Sequence, residues 1–189
     1  MSTQDGASTQ DRILATAREL FAAHTYRAAT MRQIAERLGI TKPSLYYHFG
    51  SKAEILETLL SEPVRELDTA VSAAAEEPDQ DEARRRVLRG CIDVIVRHRD
   101  VMRLLFRDAS VYGDESVHIV GRLVGTVDRA VEVLAGPDPD WRSRLRAAQA
   151  FAAATDPVNQ FPDVGMDELR AELFAGASAV LARHDPSRT

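Results

Sequence analysis

The stretch Thr30–Lys52, TMRQIAERLGITKPSLYYHFGSK, constrains the fold more than any other part of the chain. Thr30 and Gln33 form a T-x-x-Q capping box, in which each residue satisfies a backbone donor that a helix start would leave unpaired. Ile34, Ala35 and Leu38 then give a short helix, Met31 to Leu38, a narrow apolar face. Gly39 stands where that helix must stop and the chain must turn, a left-handed position that glycine takes at little cost. Ile40 is placed to plug the corner between two helices. Thr41 caps a third helix over about Lys42 to Phe49, and Pro43 in its first turn sacrifices no needed hydrogen bond. Leu45 and Phe49, four apart, anchor that helix to a core. Ser51 and Glu54 form a second capping box that opens a fourth helix.

Helical spacing recurs through the rest of the chain. Among 189 residues only 10 are Gly and 8 are Pro, and no strand-like alternation is sustained. These features predict an all-α protein of about nine helices, with no internal repeat. A first helix is expected from about Asp11 to Ala23, with Leu14, Ala17, Leu20 and Phe21 on one face. The fourth should run from Ser51 to about Ala75, kinked or split at Pro63 by the missing backbone donor. An acidic loop over 76–82 then leads to helices near 82–98, 101–110, 114–135, 139–156 and 166–184. Gly113, Gly136-Pro137-Asp138-Pro139 and the stretch 156–165 mark loops between them. The expected organisation is a disordered tail over 1–8 and a helix-turn-helix domain over 9–57. A larger helical domain for effector binding and dimerisation follows over 58–184, with a second tail over 185–189.

Several classes of function are excluded. The single cysteine, Cys91, rules out an intramolecular disulfide and a cysteine-built zinc site. The stretch Met1–Asp11 is polar, so no signal peptide is expected, and no apolar run is long enough to span a membrane. The expected location is the cytoplasm. Cys91 and His98 are seven residues apart, about 10.5 Å of rise along a helix, too far to act as nucleophile and base. The five histidines (His24, His48, His98, His118, His184) show no metal-site spacing, and Asp93 reads as a satisfied structural acid. No catalytic residue, metal site or cofactor is expected. The net charge of −5 argues at first against nucleic acid, but the charge is unevenly spread. Residues 9–60 carry seven Lys/Arg against five Asp/Glu (+2), residues 61–189 carry 17 against 23 (−6), and Asp5 supplies the last −1. Both lysines, Lys42 and Lys52, lie in the basic head, as suits a nucleic-acid-binding module joined to an acidic body.

A helix, a glycine turn and a second helix with short polar and aromatic groups outward have the form of a major-groove reader. Thr41, Lys42 and Ser44 lie in the first turn of the third helix, where side chains reach base edges. Tyr46 can offer its ring to a thymine methyl, while Tyr47 and His48 can hydrogen-bond phosphates. Thr30 and Lys52 sit at helix N-termini, where backbone N–H groups favour phosphate. Over about residues 9–57 the chain resembles the DNA-binding domain of the tetracycline-repressor (TetR) family, whose third helix has the form S/T-L-Y-Y-H-F-x-S-K. The resemblance implies that Arg32, Lys42, Pro43, Ser44 and Tyr46 face bases and that Thr30, Tyr47, His48 and Lys52 hold phosphates. One departure stands out: Thr25 precedes Tyr26 where the family commonly has glycine.

The body is read from periodicity. The helix near 82–98 is apolar on most sides and therefore central to its domain. Gly121 and Gly125 beside the apolar stripe of the next long helix leave space for close packing or a ligand. A pocket, if present, is expected to draw its walls from Cys91, His98, Met102, Phe106, Tyr112, His118, Gln149 and Phe151. That mixture suits a hydrophobic or amphipathic molecule. The last two helices are rich in alanine, and the resemblance implies that they pair with those of a second copy. Leu145, Ala148, Ala152, Leu169, Leu173, Ala177 and Val180 are the expected interface residues. Two-fold symmetry would match a pseudo-palindromic operator. The leading expectation is a homodimeric repressor released from double-stranded DNA by a small molecule. An activator or partner-controlled regulator, or a helical ligand-binding or interaction protein that no longer binds DNA, are the alternatives.

Overall fold

The computed structural model describes residues 8–107, 111 and 118–182, which form nine α-helices with no strand among them. In order these are α1 (Thr9–His24), α2 (Met31–Leu38), α3 (Lys42–His48), α4 (Lys52–Ala75), α5 (Gln80–Arg97), α6 (Arg99–Arg107), α7 (His118–Ala135), α8 (Trp141–Thr155) and α9 (Met166–Ala182). A short 3₁₀ turn, Asp156–Gln160, lies between α8 and α9. The expected tails and the loop around Gly113 fall outside the described residues, apart from Ser8.

Helix starts follow local capping chemistry. The expected box at Thr30 forms, and a further one forms at Ser8 and Asp11, which begins α1 two residues before Asp11. Asp79 and Asp140 cap α5 and α8 by accepting from the Glu82 and Ser143 amides at 2.7 and 2.8 Å. The Asp140 carboxyl is held below its ordinary pKa chiefly by its hydrogen bonds with Ser143. α4 continues through Pro63, where a kink or a split is expected, as one unbroken helix. The proline removes one backbone donor, while Leu60, Val64 and Leu67 on either side are all buried.

The chain divides into two compact units, residues 1–62 with 100–120 and residues 63–99 with 121–189. The division thus falls inside α4, and α6 groups with the N-terminal helices rather than with the larger expected domain. α6 contributes the buried Met102, Leu104 and Leu105. In the first unit Ile13, Ala17, Leu20 and Phe21 of α1 are buried with Ile34, Leu45, Phe49, Ile55 and Leu56. Tyr26 meets Phe21 edge-on at 5.4 Å between ring centres.

In the second unit α5 is central, as its all-round apolarity predicts. It buries Val87, Leu88, Cys91, Ile92 and Ile95 and packs against both α8 and α9. Gly90 lets α5 come close to the second half of α4, since a Cβ added there would lie 2.8 Å from the Ala70 Cβ. Side chains of α5 also finish α7: Gln80 donates to the Val133 carbonyl at 2.7 Å, and Arg84 to that of Leu134 at 2.9 Å. Asp93 is the paired acid its setting predicts. It meets Arg97 and also Arg170 of α9 at 3.0 Å, and Arg97 reaches Glu66 at 2.8 Å.

Candidate nucleic-acid interface

The turn between α2 and α3 is built as its residues require. Gly39 ends α2 at φ +67°, ψ +27°, the left-handed conformation. No atom would obstruct a Cβ there, so the dihedral rather than crowding demands glycine. The Gly39 and Ile40 amides donate to the Glu36 and Ala35 carbonyls at 3.2 and 3.1 Å. Thr41 then accepts from the Ser44 amide at 3.3 Å, which starts α3.

α3 divides cleanly into two faces. Leu45 and the adjoining Phe49 are buried, whereas Tyr46 and Tyr47 are 51 % and 87 % exposed. Thr41, Lys42 and Pro43 are exposed, and Ser44 and His48 half-buried. The Tyr47 and His48 rings meet edge-on at 5.3 Å. An aromatic so exposed contributes little to a core, and its ring and hydroxyl stand ready for an external partner. The seven candidates from Thr41 to His48 therefore occupy one short helix and its cap.

The other three candidates are already engaged. Thr30 shares its hydroxyl and amide with Gln33, at 2.8–3.2 Å. What it offers an external anion is the start of α2, where first-turn N–H groups lack intrahelical acceptors. Arg32 pairs with Glu36 one turn on at 2.6 Å, which raises its pKa above the ordinary value first through that hydrogen bond. Both partners are well exposed, so the pair is readily exchanged. Lys52 donates to the carbonyls of Tyr26, Arg27 and Ala29 at 2.7, 3.3 and 3.1 Å. The Lys52 ammonium, expected from the resemblance to hold phosphate, is thus turned toward the α1–α2 connection. The Ser51–Glu54 box is also altered. Ser51 accepts from the Glu54 amide at 3.1 Å, but the Glu54 carboxylate reaches back to the Gly50 amide, at 2.6 Å.

The expected pocket residues are divided between the two units. Cys91, His98, Gln149 and Phe151 belong to the second unit, and Met102, Phe106, Tyr112 and His118 to the first. Tyr112 and the Phe106 side chain lie outside the described residues. Cys91 and Met102 are buried core, and burial pushes the Cys91 thiol up to about 12, which keeps it protonated and inert. His98 is half-buried with Glu66 at 3.2 Å, Phe151 is half-buried, and Gln149 and His118 are exposed. A cavity of about 100 Å³ does occur in the first unit, lined by Phe21, Ala22, Ala23, Thr25, Tyr26, Leu56, Arg103 and Leu104. It contains none of the eight and is smaller than a drug-sized ligand needs.

The expected interface residues also divide. Leu145 and Ala148 are exposed on α8, and Ala152 and Val180 are half-buried. Leu169, Leu173 and Ala177 are instead buried within the chain itself, in the packing of α9. They have almost no surface left to lose to a second copy. The outward face of α9 is smaller in texture, with Ala171, Ala175, Gly176 and Ala179 exposed.

Residues 13–59 match the family described as bacterial regulatory proteins, tetR family. FasR of Mycolicibacterium smegmatis, an HTH-type transcriptional activator, is 34 % identical over 97 residues, 51 % of this chain and 44 % of that protein. KstR2 of the same organism, an HTH-type transcriptional repressor, is 43 % identical over 54 residues, 29 % of this chain and 26 % of that one. The matched stretches thus span less than half the length of these relatives, both transcriptional regulators. SCO3833 of Streptomyces coelicolor, a TetR-family structure, superposes with a TM-score of 0.75 at 22 % identity, covering 95 % of this chain and 94 % of that one. Residues 13–59 accordingly match the tetR family of bacterial regulatory proteins, and the chain as a whole is TetR-like in fold.

Proposed function

We propose that this chain is a homodimeric transcriptional regulator, acting in the cytoplasm, that binds a pseudo-palindromic operator through α3 and is released by a small molecule. The observation that carries this reading is the capped helix-turn-helix in which Leu45 and Phe49 are buried while Lys42, Pro43, Tyr46 and Tyr47 are presented outward. Arg32, Lys42, Pro43, Ser44 and Tyr46 are then the base-facing set. Tyr47, His48 and the α2 start at Thr30 are the phosphate-facing set. Residues 9–57 form the DNA-binding domain on this reading, and residues 58–184 carry dimerisation and the effector. The exposed faces of α8 and α9 support pairing with a second copy, since small side chains permit close helix approach.

Repression is the favoured sign. Activation is the second reading, because the match to the activator FasR extends over more of this chain than the match to the repressor KstR2. An electrophoretic shift of the full chain with DNA flanking its own coding region tests the common core of both. Retardation at low salt that resists random competitor DNA is expected. No retardation of any such fragment would favour a helical ligand-binding or interaction protein instead. Transcription in vitro from a shifted fragment then gives the sign.

A further inference from the structure

We propose that Lys52 is a positioning residue, an internal clasp that holds the start of α4 to the α1–α2 connection, and not a phosphate contact. The proposal rests on the DNA-binding reading above for its consequence but not for its geometry. An ammonium has three donors. The Lys52 Nζ lies 2.7, 3.1 and 3.3 Å from the carbonyl oxygens of Tyr26, Ala29 and Arg27, so a set of acceptors exists for all three. It also sits 4.3 Å from the centre of the Tyr26 ring, over its face. The side chain is only half-buried, but Tyr26 and Ala29, two of the residues it serves, are buried.

The place of these carbonyls explains why a cation is needed. Between His24 and Thr30 the chain leaves α1 and reaches the cap of α2 without a complete helical ladder. Part-buried carbonyls there, those of Tyr26 and Ala29, call for a donor from elsewhere. Lys52 is the first residue of α4 and lies 23–26 residues further along the chain. One side chain therefore joins the end of α1, the approach to Thr30 and the start of α4. A phosphate contact would require the ammonium to abandon part of this set, leaving half-buried acceptors unpaired. The orientation of α2 and α3 on α4 is what the clasp secures, so losing it should impair base reading more than overall attraction to DNA.

The chain contains two lysines, Lys42 and Lys52, which makes a direct spectroscopic test possible. With ¹⁵N-labelled lysine, the free protein should show one exchange-protected ammonium correlation at neutral pH. It should vanish in Lys52→Met and persist unshifted when DNA is added. Absence of a protected signal, or its appearance only with DNA, would overturn the clasp whether or not the chain binds DNA. The second arm measures affinity for DNA flanking the coding region and for random duplex across a salt series, well below the unfolding temperature. Lys52→Met should lower the specific-to-random ratio at least tenfold with an unchanged salt slope. Lys52→Arg preserves the charge, but its planar fork does not match three converging carbonyls, so it should leave the ratio depressed too. A salt slope smaller by about one, with equal loss on both DNAs, would mark a phosphate contact and overturn the proposal. So would full rescue by Lys52→Arg. Wild-type protein that shifts no DNA would overturn both the positioning role and the functional reading, while the protected signal would still report the clasp by itself.

Discussion

Thr25 ends α1 at φ +80°, ψ +153°, a region that side chains with a branched Cβ seldom enter. Glycine is common there in the family this chain resembles, and the Thr25 backbone lies in a region that glycine enters most readily. Threonine gives one compensation, a long hydrogen bond from the Ala28 amide to its hydroxyl at 3.4 Å. The strain of such a position is about 1–3 kcal/mol, and glycine's larger unfolded-state freedom offsets part of its removal. Thr25→Gly should therefore stabilise the protein by about 1 kcal/mol, a rise of roughly 2–4 °C in Tm, read by thermal unfolding. An unchanged or lower Tm would mean that the threonine is not strained. The departure was visible in the sequence, but its meaning was not, because one residue does not reveal which of two conformations its neighbours enforce. Lys52 escaped for a different reason. Its partners lie more than 20 residues away, and no local pattern records a hydrogen bond of that range.

At the scale of elements, starts were more legible than faces. The caps at Thr30 and Thr41 and the stop at Gly39 are local chemistry, and each forms where its residues stand. The faces of α9 are hard to tell apart in the sequence because its second half, from Leu173 on, is apolar or small all round. Periodicity identifies stripes but not which one meets the helix's own chain, and Leu169, Leu173 and Ala177 proved to be the inner stripe. Gly121 and Gly125 illustrate the same limit, since open space surrounds each in the described chain. The close approach lies at Gly90 instead. Gly90→Ala gains helix propensity but meets the Ala70 Cβ, which cannot rotate aside. It should lower stability by about 1–3 kcal/mol in chemical denaturation, and a gain would show that the α4–α5 contact is looser than drawn.

The two stripes of α9 carry separate expectations for the whole molecule. Ala175→Arg, on the exposed stripe, should convert a dimer to a monomer in sedimentation velocity while leaving denaturation nearly unchanged. Leu173→Ala, on the buried stripe, should cost about 2–5 kcal/mol of stability. A monomeric wild type, or an Ala175→Arg variant that stays dimeric, would refute the proposed face. On the proposed DNA-binding function, the acidic charge over most of the chain leaves the basic head to overcome repulsion from DNA. Base reading by α3 from two symmetric copies is tested by selecting bound sequences from a random duplex pool. Wild-type protein should enrich a two-fold symmetric motif with half-sites about 10–10.5 base pairs apart, or a multiple of that spacing. Ser44→Ala should change the preferred base at one position of each half-site and leave the others alone. A pool with no enriched motif, or a motif unaltered by Ser44→Ala and by Lys42→Ala, would contradict the account.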